Sequence, residues 1–235
     1  MNKKTHNNKR FLPFILLTCF TLSIVISCKK NNEGAYYGYQ NANAEFNGNI
    51  YQFLQAQNGL YDSMLYVIDR STGLKDSLEN STETVFAVPN KCFSIALQNL
   101  NQVRALKNLQ PVSLSQIDSA QLDTLICRYI LPVSFNSDSA KFYTNGVLIP
   151  SLKYGYKMNL KYERAAASGY LGGGAQQIVY TDPKDTLFNQ FWVSTYTTSL
   201  NTRTSNGYVH VLSSGHEFGF GEFIIRAKKE QAGNN

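Results

Sequence analysis

The sequence is poor in the residues that build metal centres and disulfide scaffolds: its 235 residues include three histidines, four cysteines and one tryptophan. His6, Cys19 and Cys28 fall in the first 28 positions, so the body of the chain has only His210, His216, Cys92 and Cys127. A protein metal site takes three or four convergent ligands. Two histidines six apart, with Glu217 beside them, fall short, and no metal is expected. Cys92 and Cys127 sit among apolar residues, where they either pair in an oxidising compartment or pack as small buried thiols. No Gly-x-Ser-x-Gly elbow is present, and Gly172–Gly174 is not followed by Lys-Ser/Thr as a phosphate loop would be. Asp62, Asp69 and Asp76 recur every seven residues without the closely alternating oxygen ligands of a calcium loop, which reads as a solvated helix face. These absences leave no catalytic residue and no cofactor to assign.

Charge is also thin, at 16% of residues, and its apparent basic excess is local. Lys3, Lys4, Lys9 and Arg10 precede the apolar run Phe11 to Ile26, the order of an export signal. Residues 1 to 27 contain no acidic residue, so removing them lowers the formal charge from +6 to +2, with 18 basic against 16 acidic residues. No Lys/Arg cluster remains that would mark a nucleic-acid footprint. The run ends in Val25-Ile26-Ser27-Cys28, which resembles a bacterial lipobox; Cys28 is the expected lipidation site and first mature residue. The alternative is a plain spanning anchor, for which sixteen apolar residues are short. Two or more acyl chains would hold the domain stably on a membrane. Lys29 and Lys30 stand where related surface-exported lipoproteins carry an acidic run, which is compatible with the periplasmic face of the outer membrane and leaves the choice between periplasmic and surface face open.

Residues 28–47, rich in Asn, Gly and Tyr, read as a tether, with the domain from about 48 to 225 and a tail from 226 to 235. Ile50, Phe53 and Leu54, then Tyr61, Met64, Leu65 and Ile68, then Leu74 and Leu78, fall at helical spacing. Thr84 to Val88 is β-branched and aromatic and is closed by Pro89; Asn90 stands where a helix N-cap would, ahead of Phe93, Ala96, Leu97 and Leu100. A further helix is expected from Asp118 to Tyr129. The second half is mostly strand: Tyr154, Tyr156, Met158, Leu160 and Tyr162 alternate, Trp192 lies in another candidate strand, and Asn206-Gly207 closes a turn into Tyr208–Leu212. Phe218, Phe220 and Phe223 alternate with small or acidic residues as core positions do.

"TVFAVPNKCF" (Thr84 to Phe93) resembles the first signature of fasciclin domains, and "SNGYVHVL" (Ser205 to Leu212) resembles the second, in the same order. The resemblance spans about residues 48 to 225 and implies an α+β fold, a wedge of two packed β-sheets with N-terminal helices. Thr84, Phe86, Asn90, Phe93, Asn206, Gly207 and His210 are its structural motif residues. His210 is expected to bond across to the first signature, at Asn90 or Thr84. The chain departs from the family at Val88-Pro89 and at Arg128-Tyr129, where the family has a Tyr-His pair. Its ending, "SGHEFGFGEF", is similar to envelope lipoproteins of Bacteroidota-type bacteria.

The reading that follows is a non-enzymatic, lipid-anchored fasciclin-like binding module of a bacterial outer membrane, serving adhesion or matrix and glycan contact. The alternative is an accessory lipoprotein of a polysaccharide-uptake system, binding glycan or a transporter subunit. The membrane, a glycan or an envelope protein are the expected partners, and nucleic acid is not. Tyr36, Tyr37, Tyr39, Tyr170, Trp192 and Tyr196 are candidates for an aromatic contact surface, because such rings offer an apolar body with a polar tip.

Overall fold

The computed structural model describes residues 44–165 and 174–233, except the side chains of 228–233. The leader, Cys28, most of the tether, Tyr36, Tyr37, Tyr39, Tyr170, Gly172 and Gly173 lie outside the described residues. Among the described residues, no helix is long and apolar enough to cross a membrane.

Three short helices come first: α1 (Ile50–Gln55), α2 (Asp62–Arg70) and α3 (Leu74–Asn80). The α1 N-terminus is a reciprocal cap, the Asn49 side chain accepting from the Gln52 N–H while the Gln52 side chain accepts from the Asn49 N–H. The helical faces read from the sequence are the buried ones, with Ile50, Leu54, Met64, Ile68, Leu74 and Leu78 all in the core. Strand β1 (Glu83–Ala87) is buried at every position, as a central strand must be, and helix α4 (Asn90–Ala105) follows Pro89. Helix α5 (Ser119–Ile126), capped by Asp118 accepting from the Gln121 N–H, ends three residues before the expected Tyr129. Residues Cys127–Tyr129 tighten into a 3-10 turn that feeds the two-residue strand β2 (Ile130–Leu131).

A one-turn helix, α6 (Ser137–Ala140), leads to β3 (Val147–Pro150), β4 (Lys157–Arg164), β5 (Gln176–Asp182), β6 (Val193–Thr204) and β7 (Gly207–Leu212), and α7 (Glu222–Gly233) closes the fold. Tyr154 and Tyr156 precede β4 rather than belonging to it, and Leu187 to Trp192, with a 3-10 turn over Asn189–Phe191, lead into β6 rather than forming part of it. Residues 226–233, expected as a tail, continue α7, and Ala227 is buried. At the other end Phe46, placed with the tether in the sequence reading, packs edge-on against Phe53.

The α+β class holds, and the strands expected in two packed sheets are joined in one continuous run. Seven strands make one hydrogen-bonded run, β2-β1-β7-β6-β5-β4-β3, in which β1 and β7 are parallel and every other pair is antiparallel. The reason is β6. Its first residues pair with β5, Tyr196 with Val179, and its later ones pair with β7, from Thr197 to Thr204. The register shifts between Thr197 and Thr202, and Asn201 takes φ +56°, so the shared strand bends through bulges instead of breaking. The bend folds the run onto itself: the ring of Phe86 on β1 stacks 3.8 Å from that of Tyr180 on β5. The two edges also meet, the Leu152 N–H beyond β3 donating to the Ile130 carbonyl of β2 at 2.8 Å.

Candidate functional site

The two signature segments lie side by side. In the parallel pair Glu83 faces Gly207, Phe86 faces His210 and Ala87 faces Val211. Gly207 is required by that approach, since a Cβ there would stand 1.8 Å from the Glu83 carbonyl oxygen. Phe86 and Phe93 are core rings, Phe93 stacking 4.2 Å from Phe218. His210 is fully buried, and its bonds differ from those expected. Its Nδ1 accepts from the Asn201 N–H and its Nε2 donates to the Phe135 carbonyl, not to Asn90 or Thr84. Thr84 reaches the same loop, its hydroxyl accepting from the Phe135 N–H and donating to the Val133 carbonyl. A third segment thus ties the two signatures together, one that no local spacing announces.

The two motif asparagines are also caps, but for other helices. Asn90 does not cap α4, whose N-cap is Pro89; its side chain accepts from the Ser63 N–H in the first turn of α2 and donates to the Gly59 carbonyl. Asn206 accepts from the Ile50 N–H at the start of α1 and donates to the Leu78 and Ser81 carbonyls at the end of α3. The turn between β6 and β7 is Ser205-Asn206, and positive φ appears at Gly207 and not at Asn206. Asn206 is there for its side chain, which satisfies helix ends that would otherwise lack partners. These seven motif residues spend their side chains on packing, turn geometry and hydrogen bonds within the fold.

The opposite end of β6 is where large apolar side chains stand exposed. Leu187, Phe188 and Phe191 are 91%, 67% and 58% exposed, and Val193 and Tyr196 continue the exposed row. Phe188 and Phe191 meet edge to face at 6.4 Å, while Trp192 is half-buried and donates to the Thr186 carbonyl. Beside this row a groove of about 390 Å³ runs between Val193–Tyr196 and the segment Ser213–Gly221. Its volume lies within the range of roughly 300–1,000 Å³ usual for ligand sites. Of the aromatic candidates the structure describes, Tyr196 lines the groove and is half exposed.

The far wall of the groove is held from behind. Tyr129, fully buried, accepts from the Gly219 N–H at 2.8 Å and bonds His216 Nε2 at 2.7 Å. A tyrosine–histidine contact is thereby assembled from distant positions, where the sequence offers Arg128-Tyr129. Because the Tyr129 oxygen already accepts from Gly219, its proton goes to Nε2 and His216 is neutral. Burial agrees, pushing the His216 pKa down to about 3 and the His210 pKa down to about 4. Glu217, also in the wall, accepts from Asn99 through Oε2 at 2.8 Å. Phe218, Phe220 and Phe223 are core residues as read, but they sit in a turn and the first turn of α7 rather than on a strand.

Arg128 anchors the same wall, and sequence reasoning missed it. The residue is 2% exposed, and its guanidinium bonds Asp182 at 2.7 Å and Glu222 at 2.8 Å and lies 3.9 Å from the centre of the Tyr156 ring. Lys184 stands 3.0 Å from Asp182 and 3.4 Å from Glu222, and donates to the Phe220 carbonyl. Burial pushes the Glu222 carboxyl up, but the Arg128 hydrogen bond and charge outweigh it and carry it below the usual range. The Asp182-Pro-Lys-Asp185 stretch therefore supplies the buried half of a clamp between β5 and α7. No pattern in the sequence pairs residues so far apart.

Cys92 and Cys127 are free and buried, and burial pushes both thiols up to about 12. Among the described residues no group of three or more His, Cys, Asp and Glu is placed to hold a metal ion. Asp62, Asp69 and Asp76 are exposed, Asp69 accepting from the Tyr51 hydroxyl.

No protein-family profile matches the chain, and no curated protein sequence matches it. Among solved structures it is similar to a FAS1 domain pair from the insect cell adhesion molecule fasciclin I, at 14% identity and a TM-score of 0.46. The match covers 70% of this chain and 49% of the other, so this chain spans about half the length of the structure it matches.

Proposed function

We propose that this protein is a lipid-anchored, extracytoplasmic binding module of a bacterial outer membrane, held at Cys28 and meeting its partner through the Leu187–Tyr196 end of the sheet. The polarity of β6 supports this. Glu45 bridges to Arg203 at one end of the strand, where the chain arrives, and the exposed apolar row lies at the other end. A chain that enters at the Arg203 end leaves the Leu187–Tyr196 end free to meet a partner. Several large apolar side chains gathered on one exposed loop are a contact surface more often than decoration, because isolated monomers bury such groups.

The reading is tested with the full chain expressed in cells. The intact protein partitions with membranes and captures an envelope component; Cys28→Ala moves it to the soluble fraction. Phe188→Ser with Phe191→Ser keeps membrane partition and thermal stability but loses the captured component. Capture unchanged by the double variant overturns the assignment of this face. The alternative, an accessory lipoprotein of a polysaccharide-uptake system, draws on the half-exposed Tyr196 ring at the groove and is identified by a transporter subunit among the captured partners.

A further inference from the structure

Strand β6 has an open edge. Neighbouring residues of a strand point their N–H and C=O groups to opposite sides, so residues two apart share a side. The Tyr196 carbonyl accepts from the Ser213 N–H on the β7 side at 2.9 Å, which places the backbone groups of Ser194 on that side too. β7 does not continue to meet them. It ends at Leu212, and the Ser213 carbonyl is taken by the His216 N–H and the Cys92 thiol as the chain turns away. The Tyr196 N–H and both backbone groups of Ser194 therefore point to a stretch where β7, whose pairing with β6 begins at Thr197 and Leu212, supplies no partner residue. They face the groove, along the line β7 would have followed.

We infer that this groove receives an extended polypeptide segment of a partner protein, which adds to the sheet as a short strand beside Ser194 and Tyr196. The inference rests on the binding-module reading above and names the chemistry of the partner. Backbone donors and acceptors at strand spacing are matched by another extended backbone, with side pockets supplying selectivity. Exposed edges are usually blunted by lysine, proline or a bulge, and Val193–Tyr196 carries none of these. Val193 and Tyr196 form an apolar rim, and among the described residues Glu217 is the one charged residue lining the groove. The incoming segment therefore has apolar side chains against the rim and a basic or neutral one toward Glu217. The chain's own N-terminal segment arrives at the other end of β6, near Arg203, which favours a separate partner.

The test uses the full chain in detergent micelles, with amide exchange read by NMR. The probes are short blocked peptides alternating Val and Thr, with Lys, Asn or Glu at the centre, at about 1 mM to detect weak binding. The Lys peptide slows exchange of the Ser194 and Tyr196 amides by about tenfold, as expected of newly paired edge groups. The Asn peptide protects less, the Glu peptide least, and a backbone N-methylated Lys peptide not at all. Ser194→Pro removes the edge donor and abolishes protection at Tyr196; if that variant fails to fold, Ser194→Lys supplies the same block by charge and bulk. Glu217→Lys reverses the order of the peptides. No protection by any peptide overturns the inference, as does an oligosaccharide occupying the groove without protecting these amides. A dimer dissolved by Ser194→Pro also overturns it, assigning the edge to a second copy. Envelope capture that still depends on Phe188 and Phe191 would leave the binding-module reading standing after any of these failures.

Discussion

Thr84 and His210 converge on one residue, Phe135: the threonine hydroxyl accepts from its N–H at 2.8 Å, and the histidine ring donates to its carbonyl at 3.1 Å. Strand pairing alone would align β1 with β7 and leave the Val133–Phe135 loop free to move. The two side chains fasten that loop over both strands. His210→Ala strips partners from the Asn201 N–H and the Phe135 carbonyl, two buried main-chain groups whose loss costs about 1–3 kcal/mol each. Urea unfolding should show a drop of roughly 2–4 kcal/mol. Thr84→Val loosens the same loop, so the double variant should lose less than the sum of the singles. Strict additivity would show that the loop is not a shared tie.

Two kinds of buried group give the stability opposite dependences on pH. Buried His210 and His216 are neutral, with values lowered to about 4 and about 3 from an unfolded value near 6.5. Between those values the unfolded chain binds the extra protons, so their contribution is complete above about pH 6.5 and is lost as pH falls toward 4 and then 3. Glu83 works the other way. It is 1% exposed, burial raises its pKa, and the Ser77 hydroxyl bond offsets this only in part. Its contribution is full below the unfolded carboxyl value, near 4.3, and is lost as pH rises through the raised one. Melting temperatures across pH 4 to 9 check both limbs. His210→Gln should flatten the acid limb, and Glu83→Gln should raise the melting temperature at pH 8 more than at pH 4. An acid limb unchanged by the histidine substitution would place the titrating groups elsewhere.

Much of the fold is legible in the residues because local spacing decides it. The apolar faces of α1 to α4, the buried β1 and the β6–β7 hairpin follow from period and turn chemistry. Asn90 and Asn206 show where that logic stops. Both stand in positions that suit a cap or a turn, yet each spends its side chain on helices elsewhere in the chain, reached only after folding. The bend in β6 is hidden for a related reason: its bulges serve two partner strands at once, and a period of two cannot report which partner each half meets. The open edge at Ser194 depends on where β7 departs, a tertiary fact with no signature of its own.

The Arg128 clamp is the part of the site least visible in the sequence and the most sensitive to single changes. Removing one member of a buried ion cluster leaves the others uncompensated in a low-dielectric site, which typically costs about 3–5 kcal/mol. Arg128→Met leaves Asp182, fully buried, with only Lys184 and the Tyr156 hydroxyl, and frees the first turn of α7 at Glu222. The turn just before it carries Phe220 and Gly221, which line the groove. Arg128→Met should therefore lower stability by several kcal/mol and open the Gly219–Glu222 amides to exchange before the rest of the domain. Glu222→Gln, which keeps a neutral acceptor for Arg128, should cost less and release only α7. Asp182→Asn with Arg128→Met should recover part of the loss, because the carboxylate no longer stands without its strongest partner. If the double variant is no more stable than Arg128→Met alone, the clamp holds by packing and not by charge.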